Sequence, residues 1–111
     1  MGKDELQVVA FEIVLYSGCS RTMIHEAFEL MRRGKYEEAK EKLDKSNDEL
    51  LKAHKSQTEL LQNYACGEEI TMEIIIVHAQ DHLMTTMTLR ELAIEFLELY
   101  KQLHHIENRG A

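Results

Sequence analysis

Apolar positions recur along this chain at steps of three and four residues, the period of amphipathic helices. The first stripe follows Asp4, a candidate N-cap with Gln7 three places on, and runs through Leu6, Val9, Ala10, Ile13 and Val14. It lapses over Tyr16-Ser17-Gly18-Cys19-Ser20 and resumes at Ile24, Ala27, Phe28 and Met31. A glycine inside a helix costs about 1 kcal/mol against alanine, so Gly18 reads as a close helix crossing. Arg32-Arg33-Gly34 then supplies cations for the helix C-terminus and a residue able to take the left-handed conformation that ends a helix. The spacing predicts a first helix over about 4–32.

From Tyr36 the pattern runs in heptads, with Tyr36, Leu43, Leu50, Gln57 and Tyr64 in one row and Ala39, Ser46, Ala53 and Leu60 in the other. A long second helix over about 36–65 is expected, its outer face carrying the mixed charges Glu37, Glu38, Lys40, Glu41 and Lys42 as a solvated surface. Cys66-Gly67-Glu68-Glu69 makes the next turn, and a third helix is expected over about 71–104. That helix has two apolar faces. One reads His78, His82, Thr85, Leu89, Leu92, Phe96, Leu99 and Leu103; the other holds Ile76, Leu83, Met87, Ile94 and Leu97, interrupted by Gln80 and Arg90. A three-helix bundle needs only one broad stripe from each member, so the surplus implies self-association through the third helix. The tail from His104 to Ala111 loses the period and is expected to fray. Met23, Met31, Met72, Met84 and Met87 fall at core-like spacing.

At 111 residues the chain is one domain, and the absence of proline and tryptophan, with five glycines, fits an all-α, antiparallel three-helix bundle. A formal charge of −7 opposes nucleic acid and anionic membrane as partners. The longest apolar run, Ile74 to Val77, is far short of the ~20 residues that span a bilayer. No leader pattern precedes the first stripe, so Cys19 and Cys66 are expected as reduced thiols in a cytoplasmic protein. They lack the Cys-x-x-Cys spacing of redox and zinc sites.

The informative segment is His78-Ala79-Gln80-Asp81-His82-Leu83-Met84-Thr85-Thr86. On a helix His78, Asp81, His82 and Thr85 form one contiguous polar patch at the head of an apolar row. Imidazoles and a carboxylate at an interface cost stability unless they are paired or used. Three readings compete. The patch could set register in a non-catalytic helical oligomerisation module, as polar seam residues do. It could be a hydrolytic metal site, because His-x-x-Asp-His differs from the inverted zinc-protease motif by one methylene; that needs a third ligand and a cleft for which this scaffold has little room. Or one imidazole carries phosphate: a neutral ring nitrogen is a nucleophile near pH 7, and its phosphoramidate passes the group on. The third reading needs the least scaffold. His25, His54 and His104-His105 read as surface or packing residues.

The segment from His78 to Thr86, with Phe11-Glu12-Ile13-Val14 and Gly18 in the first helix and Ala53-His54-Lys55-Ser56-Gln57-Thr58 in the second, closely resembles the lactose/cellobiose-type IIA component of the bacterial phosphoenolpyruvate-dependent sugar phosphotransferase system. The likeness covers nearly the whole chain. It implies a homotrimeric nine-helix bundle with the third helices innermost, working as a phosphotransferase component with a phosphohistidine intermediate. By this resemblance His78 accepts phosphate from the general histidine-containing phosphocarrier protein HPr and hands it to the cognate IIB component, with His82 and Gln80 in support. Asp81 matches the family's axial aspartate, where three copies share a divalent cation, usually Mg2+. Three carboxylates meeting on an axis repel, and a hard, oxygen-liking cation is the simple remedy.

Overall fold

The structure, a computed structural model, describes residues 2–110, with side chains as far as 108; Met1 and Ala111 lie outside it. Three α-helices follow one another: α1 (Lys3–Arg32), α2 (Tyr36–Ala65) and α3 (Ile74–Gly110). They pack side by side into a rod of 63 × 20 × 20 Å.

The first helix begins earlier than its N-cap signal suggests. Gly2 occupies the N-cap with no side-chain hydrogen bond, and Asp4 and Glu5 lie inside the first turn, where carboxylates complement the exposed amide dipoles. Both interhelical turns form as their glycines predict. Gly34 (φ 75°) and Gly67 (φ 94°) take left-handed conformations. The next amide closes each helix: Lys35 N donates to Leu30 O at 2.9 Å and Glu68 N to Asn63 O at 3.1 Å. A side chain at either glycine would strain this backbone.

The third helix departs from expectation at both ends. Its start is delayed from 71 to Ile74, with the Glu73 carbonyl accepting from Ile76 N and Val77 N. The residues in between run without helix so that Ile70 can pack against the core at that end of the bundle. At the other end α3 continues to Gly110 instead of fraying. His104 meets the Tyr36 ring edge-on at 5.7 Å and its Nε2 lies 3.0 Å from Asn108 Nδ2. Local pairs of this kind carry the helix past the last fully buried α3 residue, Leu97.

Each helix buries one heptad row: Leu6, Ala10, Ile13, Ser17, Ser20, Ile24, Ala27 and Met31 on α1, and Ala39, Leu43, Ser46, Leu50, Ala53 and Leu60 on α2. On α3 the row is Ile76, Ala79, Leu83, Thr86, Ala93 and Leu97. The apolar core is thereby split into two clusters, one around Ile13, Leu50 and Leu83, the other around Ile24, Leu43 and Leu97. Between them lies a belt of four fully buried hydroxyl residues, Ser17, Ser20, Ser46 and Thr86. Arg90 covers one side, its Nε donating to Leu43 O at 3.1 Å and Ser46 Oγ at 3.2 Å. Of the five methionines read as core, Met31 is buried, Met23 and Met87 half-buried, and Met72 (73%) and Met84 (51%) exposed. Met72 falls in the extended connection, and Met84 on the outward face of α3.

Candidate functional site

The imidazoles sit near the start of α3, one turn apart on one face, because four residues advance a helix by 400° and bring the side chain back almost in line. His78 is exposed and His82 partly covered. Their rings stack with centroids 6.0 Å apart and planes 8° from parallel. Among the described residues no hydrogen bond reaches the His78 ring.

The cover over His82 comes from α1. A Cβ built on Gly18 would lie 3.7 Å from His82 Nε2, an ordinary contact, so the glycine leaves room beside the ring but is not forced by a helix crossing. One turn on, Arg21 reaches across to α3. Its Nη2 donates to Thr85 Oγ1 at 2.7 Å, to Thr86 Oγ1 at 2.8 Å and, weakly, to His82 O at 3.4 Å, while Nε donates to Thr86 Oγ1 at 3.1 Å. The two threonines pass their own protons back along the helix, Thr85 to Asp81 O at 2.8 Å and Thr86 to His82 O at 2.7 Å. Partial burial lowers the pKa of His82 below the ordinary histidine value. The positive charge of Arg21 and the field of His78 add to that, against a smaller opposing pull from Asp81. These effects bias His82 toward the neutral ring.

The other sequence-predicted residues point elsewhere. Gln80 lies around α3 from the imidazoles and faces α2, where its Oε1 accepts from Gln57 Nε2. It also lines a cleft of about 330 Å³ with Leu60, Leu61, Tyr64, Ile70, Met72 and Ile76. Within one chain, then, the structure brings His78 and His82 together and not Gln80. Asp81 is exposed on the outward face of α3. Among the described residues no three His, Cys, Asp or Glu side chains converge as a metal site. A lone carboxylate offers hard oxygen donors, so it fits a Mg2+-like cation only when further copies complete the oxygen set.

Large exposed apolar side chains lie on the turns of α1 before Gly18, which faces His82, and on the first turn of α3: Phe11 (66% exposed), Leu15 (59%), Ile74 (88%) and Val77 (56%). A solvent-open nucleophile in an apolar surround suits a protein substrate better than a small molecule, which would need an enclosing pocket. Arg21 went unread in the sequence, and Gln57 was read as a seam position of the second helix and not as a partner of Gln80. Their partners lie 61–65 and 23 residues away on other helices, a pairing that periodicity on one helix does not reveal.

Comparison with known proteins places this geometry. The family model described as "PTS system, Lactose/Cellobiose specific IIA subunit" matches residues 8–101. The lichenan-specific phosphotransferase enzyme IIA component of Bacillus subtilis (strain 168) is 44% identical over 108 residues, spanning 97% of this chain and 96% of the relative. The crystal structure of PtcA from S. mutans superposes with a TM-score of 0.90 at 66% identity, covering 91% of this chain and 99% of that one. A IIA(Chitobiose)–HPr complex of the Escherichia coli phosphotransferase system matches with a TM-score of 0.77 at 33% identity, over 89% of this chain and 96% of that one.

Proposed function

Because the chain belongs to the lactose/cellobiose-specific IIA family, phosphate-carrying components of the sugar phosphotransferase system, we propose that His78 is the residue that carries the phosphoryl group. The observation behind this is the solvent-open His78 ring stacked on His82, with exposed apolar side chains on the neighbouring turns of α1 and α3. HPr is the donor in this reading, supported by the related IIA solved in complex with HPr, and the cognate IIB component is the acceptor.

The step needs little machinery. A ring nitrogen of His78 attacks the donor's phosphohistidine phosphorus in line, and the donor P–N bond breaks as the new P–N bond forms. The departing electron pair stays on the donor imidazole. Each ring keeps the proton on its other nitrogen, so no proton moves. His82 offers an N–H to a phosphoryl oxygen.

The second part of the proposal is assembly as a homotrimer with α3 innermost. Leu92, Phe96, Leu99 and Leu103 are each 44–51% exposed along one heptad row of α3, and Asp81 lies at the head of the same face. In that arrangement Gln80, turned away from the imidazoles of its own chain, lines the cleft of a neighbouring copy. Three Asp81 carboxylates would hold a divalent cation on the axis, which when bound offsets their mutual repulsion. No helix among the described residues is long and apolar enough to cross a membrane, and the reading places the chain in the cytoplasm, its two cysteines free.

The test is incubation with phosphoenolpyruvate, the first enzyme of the system and HPr, followed by intact mass. A gain of one phosphate, abolished in His78→Ala and kept in His82→Ala, is the expected result. No gain in the wild type would favour the non-catalytic oligomerisation module.

A further inference from the structure

We propose that Arg21 is a positioning residue for phosphoryl transfer, acting through Thr85, Thr86 and the His82 carbonyl to fix the helical turn that carries the two imidazoles. This rests on His78 being the phosphoryl carrier.

The argument starts from what each group can donate. A guanidinium has only donors, so each threonine oxygen in contact with Arg21 must accept from it. A hydroxyl has one proton, and the Thr86 proton is left for His82 O and the Thr85 proton for Asp81 O. The network therefore has one direction, from Arg21 through Thr86 to the His82 carbonyl and through Thr85 to the Asp81 carbonyl. Both carbonyls belong to the turn between His78 and Thr86. Among the described residues Arg21 meets no carboxylate, so the cation is committed to this one turn of α3.

A neighbouring arrangement supplies the control. Arg90 makes the same kind of chain on α2: its Nε donates to Ser46 Oγ, and Ser46 donates to Leu43 O at 2.6 Å. It also closes the buried hydroxyl belt, but the carbonyl at its end belongs to Leu43, remote in sequence from the imidazoles. If these arginines only brace helices, removing either should have the same consequence. If Arg21 positions the reacting rings, the consequences should differ. A lysine cannot replace the planar fork, because its donors all radiate from one nitrogen and cannot reproduce the paired Nε and Nη2 contacts that hold Thr86 Oγ1 while Nη2 also reaches Thr85.

The experiment compares the full chain with Arg21→Met, Arg21→Lys, Thr86→Val and Arg90→Met, using phosphorylated HPr as donor. Wild type and His78→Ala are run first; a wild type that takes no phosphate, or a His78→Ala that still takes it, overturns the parent reading and this inference with it. Given a phosphorylated wild type, Arg21→Met is expected to lower kcat roughly tenfold or more, the scale on which small misplacements of reacting groups act. KM for the donor should stay within about twofold, since docking is untouched. Arg21→Lys should not restore kcat, and Thr86→Val, which is isosteric, should show the same loss in smaller degree. The cross-ring nuclear Overhauser contacts between His78 and His82 should weaken in step. Arg90→Met should lose unfolding stability while keeping kcat. Wild-type kcat in Arg21→Met, an equal loss in Arg90→Met, or a change in KM alone would overturn the proposal. Should Arg21→Met fail to fold, Thr86→Val decides: unchanged kcat there overturns it too.

Discussion

The two faces of α3 follow opposite rules within one helix. The inward row, Ile76, Ala79, Leu83, Thr86, Ala93 and Leu97, mixes large and small side chains, and each is 5% exposed or less. The outward row is uniformly large and apolar toward the C-terminal half, with Leu92, Phe96, Leu99 and Leu103, but polar at its head with His78, Asp81, His82 and Thr85. Small residues inward let α1 and α2 approach closely, whereas the large outward residues stay about half exposed even where Phe96 meets Phe28 edge-on at 5.8 Å. The difference teaches that the fold uses one stripe of α3 and leaves a second free for the proposed assembly. The proposed phosphoryl carrier lies where the second stripe turns polar, outside the close-packed core.

The strongest way to break the comparison is on the inward side. Leu83 is fully buried in the cluster with Ile13 and Leu50. Leu83→Ala should cost about 2–5 kcal/mol of unfolding free energy, the range for a buried leucine whose cavity only partly collapses. The check is a denaturant midpoint at fixed protomer concentration, because assembly contributes to apparent stability. A loss below about 1 kcal/mol would mean that the row tolerates voids as a surface does.

The outward side should respond in association instead. Leu92→Asp with Leu99→Asp removes two apolar contacts per protomer, each leucine contributing about 1.5–3 kcal/mol when fully buried. Light scattering should then report a monomer whose helical circular dichroism persists. Asp81→Leu, on the same face, should act in reverse: the trimer persists and becomes insensitive to a chelator, because repelling carboxylates are replaced by apolar packing. A monomeric Asp81→Leu would show that the axis is built differently.

These two rows also mark what the sequence discloses. The heptads of α2 as far as Leu60, though not the exposed Tyr64, the surplus face of α3 and both glycine turns were legible, because each is a periodic or single-residue signal within one element. The imidazole pair was legible for the same reason, since four-residue spacing on a helix is itself a distance. What stayed hidden depends on helix register: Arg21 on Thr85 and Thr86, and Gln57 on Gln80, are pairings between elements. The lapse in the α1 stripe at Ser17 and Ser20 looked like a weakness in a core row. Its counterparts Ser46 and Thr86 sit in rows where they pass as ordinary seam residues, so the four form a belt only once the helices are aligned.

That belt yields the smallest effect and the sharpest contrast. Ser46 Oγ accepts from Arg90 and donates to Leu43 O, whereas among the described residues the buried Ser17 and Ser20 hydroxyls have no hydrogen-bond partner. An unsatisfied buried hydroxyl costs about 1–3 kcal/mol, and alanine is the better helix former. Ser17→Ala and Ser20→Ala should therefore each stabilise the fold, by about 1 kcal/mol after the small void left by the lost oxygen is counted. Ser46→Ala should destabilise it, since it removes two hydrogen bonds of a satisfied hydroxyl and leaves Arg90 Nε with Leu43 O alone. Paired thermal melts of the three variants read the sign directly. If Ser17→Ala and Ser20→Ala instead lower Tm as Ser46→Ala does, the two hydroxyls have partners in the folded protein, and an internal water between the apolar clusters becomes the simplest account of the belt.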